Sequence, residues 1–514
     1  MSLSSRTETV KPALHSDSGM VVAQNARAAA IGAQILEAGG NAADAAVAVS
    51  FVLGVLEPWM SGIGGGGAAL FRDVSSEKVY SVDFGLKAPA RLRQGAYALA
   101  EGRSRELFAW RAVEGDRNAI GIDAVAVPAT VAGMAAIHGR FGRMPWKDLL
   151  APAIDNARAG LDIDWYSSLV IATSMGRLTD PTIAAQFLPG GLPPQVLDVA
   201  LGRRLPLSRL ADTLATLADE GPDCFRIGSL ASTLADEIAN LGGTIGAGDL
   251  AGVTADITDA TSTVFRGSEI FLSPGLTAGR TLGRTMDLLA TDQRARHGAS
   301  MRDWYVAIAA SLDKAQAERW ANDGDIRQND CTSHFAVADA AGNLCSVTQT
   351  VLSAFGSGVM TPKSGIILNN GMLWFDPEPG RPNSIAPAKR CLMNICPTIL
   401  RQGGRHTAIG AAGGRRILSA VAQIAGFLVD HGMTPEEAMH HPRIDCSTAG
   451  VVQVPPSLAG LLETVFAATT TSSPPHVPWP ILYSIAAVLA VEADGATGCA
   501  DPIAPWSDVA VPHG

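Results

Sequence analysis

The apolar and polar positions of this chain divide it into a helix-rich first half and a strand-rich second half. Asn25 precedes a segment with helical spacing at residues 26–37, and Asn41 precedes another at residues 42–56, which predicts two N-capped helices. The second segment is apolar on nearly every side, so we expect it to be buried. Residues 146–254 are again mostly helical in pattern, with breaks at Gly and Pro.

Runs rich in β-branched or alternating apolar residues predict the strands. Before the long helical region we expect strands at residues 68–71, 79–84 and 124–127, followed by a helix at residues 128–137. After it we expect strands at residues 333–339, 344–350, 364–370, 406–412 and 482–491, and a helix at residues 415–430. Because strands and helices are partly segregated, the pattern favours a layered α+β arrangement over a doubly wound sheet.

Two of these strands form the most informative local pattern. The residues between them, DAAGN at 339–343, fit a three-residue hairpin loop with Gly342 in the left-handed conformation. Pairing the two ends of this loop fixes a register that places Thr332 opposite Thr350. Two hydroxyls would then face each other at the open end of the hairpin, either as an ordinary cross-strand pair or as part of a site.

The overall composition excludes several classes of protein. The chain is 47% hydrophobic and only 17% charged, which excludes a disordered chain, and its 54 glycines show no three-residue period. A net charge of −10 without a basic cluster argues against a nucleic-acid partner. The longest apolar runs are far shorter than the ~20 residues of a membrane-spanning helix, and the first residues lack the apolar core of a secretory signal. Seven cysteines without a CxxC pair indicate reduced thiols and a cytoplasmic location.

Common cofactor and metal motifs do not account for this chain. Residues 62–67 fit G-x-G-x-x-G, but they follow a helix and lead into a strand, the reverse of a dinucleotide site. Close approach of the backbone to a neighbouring segment is the better explanation. His440 and His441 are adjacent but have no further ligands at metal-binding spacing, so we expect them to serve helix-end packing. The sequence therefore predicts neither a cofactor nor a metal.

Several motifs in order carry a resemblance to a known family. They are MSGIGGGG at 60–67, CTSHFAVADAAGN at 331–343, SVTQT at 346–350, FGSGV at 355–359, GIILNN at 365–370 and GAAGG at 410–414. Together they resemble the γ-glutamyltransferase (γ-glutamyl transpeptidase) family. The similarity runs from about Gly19 to Arg443 and resumes near residues 495–510.

The resemblance implies a fold and a chemistry. The fold would be the four-layer αββα sandwich of the N-terminal-nucleophile hydrolases. The precursor would cut itself between Cys331 and Thr332, giving a large subunit (residues 1–331) and a small catalytic subunit (residues 332–514) that together form one structural domain. Thr332 would be the nucleophile, activated by its own α-amine, whose pKa is roughly 7.7–8. Thr350 would hydrogen-bond the Thr332 hydroxyl, and the N–H groups of Gly413 and Gly414 would stabilise the oxyanion.

The substrate-binding positions depart from the family. The family's arginine after the glycine loop aligns with Gly85, and its asparagine two residues beyond the second threonine aligns with Leu352. Its Gln-Met-Asp-Asp segment contains Gly371 and Trp374 here, and its serine pair is replaced by Met393 and Asn394. These changes would replace a pocket for an amino-acid zwitterion with an apolar, aromatic one, where an unpaired charge costs several kcal/mol.

Three hypotheses follow for the function of this chain, with a small molecule as the expected substrate or ligand. The leading one is an autoprocessing hydrolase or acyltransferase acting on a non-γ-glutamyl bond; divergent relatives include cephalosporin-acylase-like amidases and enzymes of antibiotic biosynthesis that hydrolyse a C–C bond. The second is a γ-glutamyl transpeptidase or glutathione hydrolase with an altered clamp, and the third is a non-catalytic binding protein on the same fold. Arg415 or Lys87 could replace the missing clamp by meeting an acidic group, although both could be ordinary helix-start or surface residues.

Overall fold

The computed structural model describes residues 9–93, 95–104, 106, 108–195, 203–296, 298–324, 331–448, 450–462 and 484–513. Its helices are α1 (Ala26–Glu37), α2 (Ala42–Leu56), α3 (Thr130–Phe141), α4 (Trp146–Ala159), α5 (Trp165–Thr173), α6 (Pro181–Phe187), α7 (Ser208–Glu220), α8 (Ser229–Asn240), α9 (Ala247–Ala251), α10 (Gly279–Thr291), α11 (Met301–Asp323), α12 (Arg416–Asp430), α13 (Pro435–His440) and α14 (Pro456–Leu462).

The strands lie mainly before residue 114 and after residue 255. They are β1 (Leu14–Ser16), β2 (Gly19–Ala23), β3 (Gly66–Asp73), β4 (Lys78–Phe84), β5 (Leu99–Arg103), β6 (Arg111–Val113), β7 (Leu161–Ile163), β8 (Arg203–Leu205), β9 (Asp256–Asp259), β10 (Thr261–Phe265), β11 (Ser268–Leu272), β12 (Cys331–Asp339), β13 (Leu344–Leu352), β14 (Thr398–Gln402), β15 (Arg405–Ala412), β16 (Asp445–Thr448), β17 (Val451–Gln453), β18 (Ile485–Glu492), β19 (Gly495–Ala500) and β20 (Asp508–Ala510).

Two seven-stranded antiparallel sheets stack face to face. Sheet 1 has the order β20-β2-β12-β13-β3-β4-β9, and sheet 2 has the order β1-β19-β18-β15-β14-β11-β10. Helices α1, α2 and α3 cover the outer face of sheet 1, whereas α10, α12 and α13 cover sheet 2. The fold is therefore the four-layer αββα sandwich expected from the sequence. Both sheets contain strands from before Cys331 and strands from Cys331 onward, so neither part of the chain could complete a sheet alone.

Alternation along β12 fixes which side chains meet the second sheet. Phe335 and Val337 join the core under the helices, while Ala336 and Ala338 join the core between the sheets. Small side chains in this inner layer let the two sheets approach closely. By the same alternation, His334 faces sheet 2 and Ser333 faces α2.

The helix caps and the hairpin follow the sequence-based predictions. The Asn25 side chain caps α1, and the Asn41 side chain forms a capping box at the start of α2. The hairpin loop closes with an Asp339 N–H to Asn343 oxygen bond of 3.1 Å, and Gly342 has φ +88°.

Two predicted strands are wrong. Residues 124–127 lie in and after a short 3-10 turn, and only Val127 makes a single bridge, to Lys87. Residues 364–370 form a loop in which Ile367 makes one bridge, to Met360. Pro128, which has no N–H, prevents extension of the first bridge into a ladder, and the second run is held by asparagine side chains instead. The helix expected from Pro128 begins at Thr130, and of the last predicted strand, residues 482 and 483 lie outside the described residues.

Three further observations concern the thiols, the helices and the metal-ligating side chains of the described residues. All seven cysteines are free thiols. In the parts of the chain described, no helix combines the length and apolar character needed to cross a bilayer. Over the same ranges, no three His, Cys, Asp or Glu side chains lie close enough to hold a metal ion. His440 ends α13 and His441 packs 4.7 Å from the ring of Phe427, as expected for packing residues.

Candidate active site

Thr332 lies near the start of β12, next to an irregularity in the ladder. Ser333 pairs with Gln349 and the following residues keep the predicted register, but Cys331 pairs with Leu352. The ladder therefore shifts between Cys331 and Ser333, so that Thr332 lies opposite both Thr350 and Val351 instead of pairing with Thr350 alone. A bulge of this kind redirects a side chain at a sheet end. Thr332 is only 2% exposed in this uncut chain.

The Thr350 hydroxyl contacts the peptide bond that precedes Thr332. It donates a hydrogen bond of 2.5 Å to the carbonyl oxygen of Cys331 and accepts one of 2.8 Å from the N–H of Leu352. In the uncut chain the hydroxyl proton of Thr350 is thus directed at Cys331, and the bond between Thr350 and the Thr332 hydroxyl expected for the cleaved chain stays a prediction. Thr350 is placed to polarise the carbonyl of the proposed cleavage site.

A buried network, which sequence reasoning missed, holds the opposite face of this strand. The hydroxyl of Ser61 donates to Ser333 at 3.1 Å, and the Gln349 amide donates to Ser61 at 3.0 Å and to the backbone oxygen of Ser50 at 3.1 Å. The Ser50 hydroxyl returns a 2.6 Å bond to Gln349. All four residues are buried, so α2, the glycine loop and the proposed nucleophile strand are fixed to each other.

His334 was also missed, and it lies between the two sheets. Its Nδ1 is 2.9 Å from the Thr348 hydroxyl, and a Cβ atom on Gly410 of β15 would lie 2.0 Å from its ring. Burial lowers the pKa of His334 to about 3, so the ring is neutral at physiological pH. Polar residues inside otherwise apolar strands, such as Gln349 and His334, were the available sequence signal, since buried polar groups need partners.

The glycine run at 62–67 makes the close backbone approach predicted for it. A Cβ atom added at Gly64 would lie 2.0 Å from the backbone oxygen of Ile367, and one added at Gly65 would lie 2.3 Å from the backbone oxygen of Thr350. The Asn369 amide donates to the Gly64 oxygen at 2.7 Å. These contacts place the loop directly behind the residue that holds the Cys331 carbonyl.

The Gly413–Gly414 pair forms a turn between β15 and α12. Both residues have positive φ, +132° and +63°, which explains why glycine occupies both positions. Within the described residues, neither N–H donates a hydrogen bond to a backbone oxygen or a side chain. Strand β15 packs against β12 across the interface of the two sheets.

The expected substrate-binding residues have different immediate neighbours. Gly85 and Met393 are in contact, since a Cβ atom on Gly85 would lie 2.7 Å from the Met393 terminal methyl group. The buried guanidinium of Arg319 donates to the Met393 oxygen at 3.0 Å and to the Asn394 side-chain oxygen at 3.1 Å. Asn394 is therefore already engaged within the protein.

Leu352, Gly371 and Trp374 lie in the buried core around the same strand end. Leu352 has φ +80°, a conformation that asparagine tolerates better than leucine. A side chain at Gly371 would meet the Ala126 Cβ at 2.7 Å, so this position packs in the core rather than against a cavity. Trp374 is 2% exposed, and its indole N–H has no acceptor among the described residues.

The two candidate cations differ in environment. Arg415 directly follows the glycine pair, is 4% exposed, and its guanidinium lies 5.7 Å from the ring centre of Trp320. Lys87 is partly exposed and lines a surface groove of about 180 Å³ together with Gly85. Arg415 is thus buried beside the glycine turn, whereas Lys87 is partly exposed in a groove that Gly85 also lines.

Comparison with known proteins places these features in a family. The sequence profile described as Gamma-glutamyltranspeptidase matches residues 28–331 and 302–505. The chain is 36% identical over 466 residues to the acylase ACY 1 proenzyme of Pseudomonas sp. (strain SE83), covering 83% of this chain and 82% of that protein. It is 29% identical over 484 residues to the glutathione hydrolase proenzyme of Bacillus subtilis (strain 168), covering 83% and 80%.

The fold comparison agrees. The structure of cephalosporin acylase from Bacillus halodurans matches with a TM-score of 0.84 at 22% identity, covering 100% of this chain and 99% of that one. The gamma-glutamyltranspeptidase of Helicobacter pylori matches with a TM-score of 0.54 at 26% identity, covering 60% and 86%.

Proposed function

Because this chain belongs to the gamma-glutamyltranspeptidase family and is an N-terminal-nucleophile hydrolase or acyltransferase, we propose that it is a self-cleaving amidase whose substrates are acyl amides other than γ-glutamyl compounds. The catalytic group would be Thr332, released as a new N-terminus of the small subunit. We further propose a cytoplasmic location, in keeping with the seven free thiols.

Maturation would begin with attack of the Thr332 hydroxyl on the carbonyl carbon of Cys331. The carbonyl oxygen gains negative charge, which the Thr350 hydroxyl at 2.5 Å stabilises. The Cys331–Thr332 C–N bond then breaks, the amine takes a proton, and the resulting ester is hydrolysed by water. The products are a carboxylate at Cys331 and a free α-amine on Thr332.

Turnover would use the same hydroxyl and the new amine. The amine accepts the hydroxyl proton as Thr332 Oγ1 attacks the substrate carbonyl, and the Gly413 and Gly414 N–H groups receive the oxyanion. Departure of the leaving amine gives an acyl ester on Thr332. Water then releases the acid, or an acceptor amine takes the acyl group.

The observation that carries the choice of substrate is the apolar character of the former clamp positions. Leu352, Trp374 and Met393 are apolar and 2% exposed or less, and Gly85 contributes no side chain. None of these four positions offers a charged partner to the ammonium or carboxylate of a γ-glutamyl group, and the Asp83 carboxylate beside Gly85 is already paired with Arg390 at 2.7 Å. The similarity to two acylase proenzymes, at 36% and 35% identity, supports the same choice.

The test has two parts that use purified full-length protein. On a denaturing gel, wild-type protein should give two bands, and N-terminal sequencing of the smaller should begin at Thr332, whereas Thr332→Ala should remain one chain. The cut protein should hydrolyse a panel of simple acyl p-nitroanilides faster than γ-glutamyl-p-nitroanilide. Efficient cleavage of glutathione, with a KM below ~1 mM as for a dedicated enzyme, would contradict the proposed substrate class.

A further inference from the structure

A fully buried ion pair lies behind the Gly413–Gly414 turn and outside the residues considered so far. Arg443 and Asp501 are joined by a 2.7 Å contact between Nη2 and Oδ2, and their side chains are 2% and 0% exposed. Removing both charges from water is costly, so such a pair is retained only where the surrounding hydrogen bonds compensate for the loss.

Those hydrogen bonds connect the ion pair to the start of β18. The Arg443 guanidinium donates to the backbone oxygen of Ser484 at 3.3 Å, and the same Asp501 oxygen accepts from the N–H of Ala486 at 2.9 Å. The pair therefore holds the backbone on both sides of Ile485. Ser484 itself has φ +69°, an uncommon conformation for a serine, which these contacts stabilise.

Ser484 in turn contacts the glycine turn. Its hydroxyl donates a hydrogen bond to the carbonyl oxygen of Ala412, the residue before Gly413. A Cβ atom on Gly413 would lie 3.0 Å from the Ser484 hydroxyl oxygen and 3.2 Å from its Cα. Ser484 is 1% exposed, so water cannot replace this contact readily.

The peptide bond makes this contact relevant to the reaction. The carbonyl of Ala412 and the N–H of Gly413 belong to one planar unit, so fixing the direction of one fixes the other. Glycine at position 413 places little restriction on rotation of that unit. We propose that Ser484 is a positioning residue, which the Arg443–Asp501 pair holds in place so that the Gly413 N–H points at the substrate oxyanion.

This inference rests on the proposed function, since it takes the Gly413 N–H as an oxyanion donor. It also predicts that Ser484 affects substrate turnover but not self-cleavage. The carbonyl of Cys331 is held by the Thr350 hydroxyl in the uncut chain. Loss of the Ser484 hydroxyl should therefore slow turnover and leave self-cleavage unchanged.

The experiment compares Ser484→Ala and Ser484→Gly with wild-type protein. Alanine keeps the Cβ packing, and glycine relieves the positive φ, so a shared defect reports on the hydroxyl. We expect both variants to self-cleave within ~3-fold of the wild-type rate, and to hydrolyse the best acyl p-nitroanilide with kcat ~10- to 100-fold lower and KM within ~2-fold. Ser311→Ala is the matched control, because that buried hydroxyl also donates to a backbone oxygen, within α11, and its loss should leave kcat unchanged.

A double-variant cycle tests the link to the ion pair. Asp501→Asn should lower kcat. In the double variant with Ser484→Ala, kcat should fall by a smaller factor than the product of the two single-variant factors, because both substitutions act through one contact. A kcat for both Ser484 variants equal to that of wild type would overturn the inference, as would an equal loss in self-cleavage. Wild-type protein that cuts itself but hydrolyses no acyl amide would overturn the proposed function instead, and the inference with it.

Discussion

The Thr350 hydroxyl donates its hydrogen bond to the carbonyl oxygen of Cys331 and not to the neighbouring threonine hydroxyl. The N–H of Leu352 donates to the same hydroxyl at 2.8 Å, which leaves the hydroxyl proton directed at the carbonyl. Thr350, which the family resemblance assigns to orienting the nucleophile, thus contacts the peptide bond that we propose as the cleavage site. Its first role is therefore predicted to be in maturation.

Replacing Thr350 tests that role. Thr350→Ala should slow self-cleavage by roughly 10- to 1000-fold, since one donor to a developing oxyanion is lost, and Thr350→Ser should remain within a few-fold of wild type. Gel densitometry of freshly purified precursor over time gives both rates. Self-cleavage of Thr350→Ala at the wild-type rate would show that the hydrogen bond does not assist the reaction.

Restoring the family's arginine at Gly85 should not restore γ-glutamyl activity. A Cβ atom at this position would lie 3.0 Å from the Asp83 carboxylate, which already pairs with Arg390 at 2.7 Å. We expect the new guanidinium to bind Asp83 rather than a substrate, so that kcat/KM for γ-glutamyl-p-nitroanilide rises less than ~10-fold over wild type. Gly85→Ala provides the control for crowding against Met393. A rise of 100-fold or more would show that the position still faces the substrate.

Gly410 is predicted to be essential for the contact between the two sheets. An alanine there would place a methyl group 2.0 Å from the His334 ring, and the rigid strands leave little room to adjust. Gly410→Ala should lower the free energy of unfolding by ~2 kcal/mol or more and slow self-cleavage. Gly404→Ala is the matched control, since no atom lies within 4 Å of its Cβ position. Urea unfolding of the two variants should therefore differ clearly, and equal midpoints would contradict the packing described.

Glu57 should make stability depend on pH. The carboxyl group is 1% exposed and accepts hydrogen bonds from the Gln24 and Asn25 amides, and burial raises its pKa from 4.5 to about 8. Between these values the folded chain keeps a proton that the unfolded chain loses, so folding stability due to this group decreases as pH rises from 4.5 to 8. Glu57→Gln should resemble wild type near pH 4.5 and become more stable than wild type, by up to a few kcal/mol, near pH 8. Thermal midpoints at pH 5, 6, 7 and 8 test this, and a constant difference across the range would exclude it.

The sequence by itself determined the local features and the fold class. The caps at Asn25 and Asn41 and the hairpin turn at Gly342 depend on neighbouring residues, whose backbone preferences are short-range, and all three are present. The ordered motifs led correctly to the αββα sandwich. The order of helix, glycine loop and strand around residues 62–67 was also correctly predicted, because it depends on neighbouring residues.

Tertiary structure decided which groups meet at the site. The hairpin register predicted a Thr332–Thr350 pair, but the ladder shifts at Cys331, where the Val351 N–H donates to the backbone oxygen of Met60 instead. Gly371 and Gly85 were assigned to one pocket from their alignment, and only the structure shows their neighbours: Ala126 and Leu86 for the first, and Met393 for the second. The route from Arg443 through Ser484 to Ala412 joins residues far apart in the chain. Such contacts form only when two sheets stack, so their geometry depends on long-range packing that no local pattern of residues encodes.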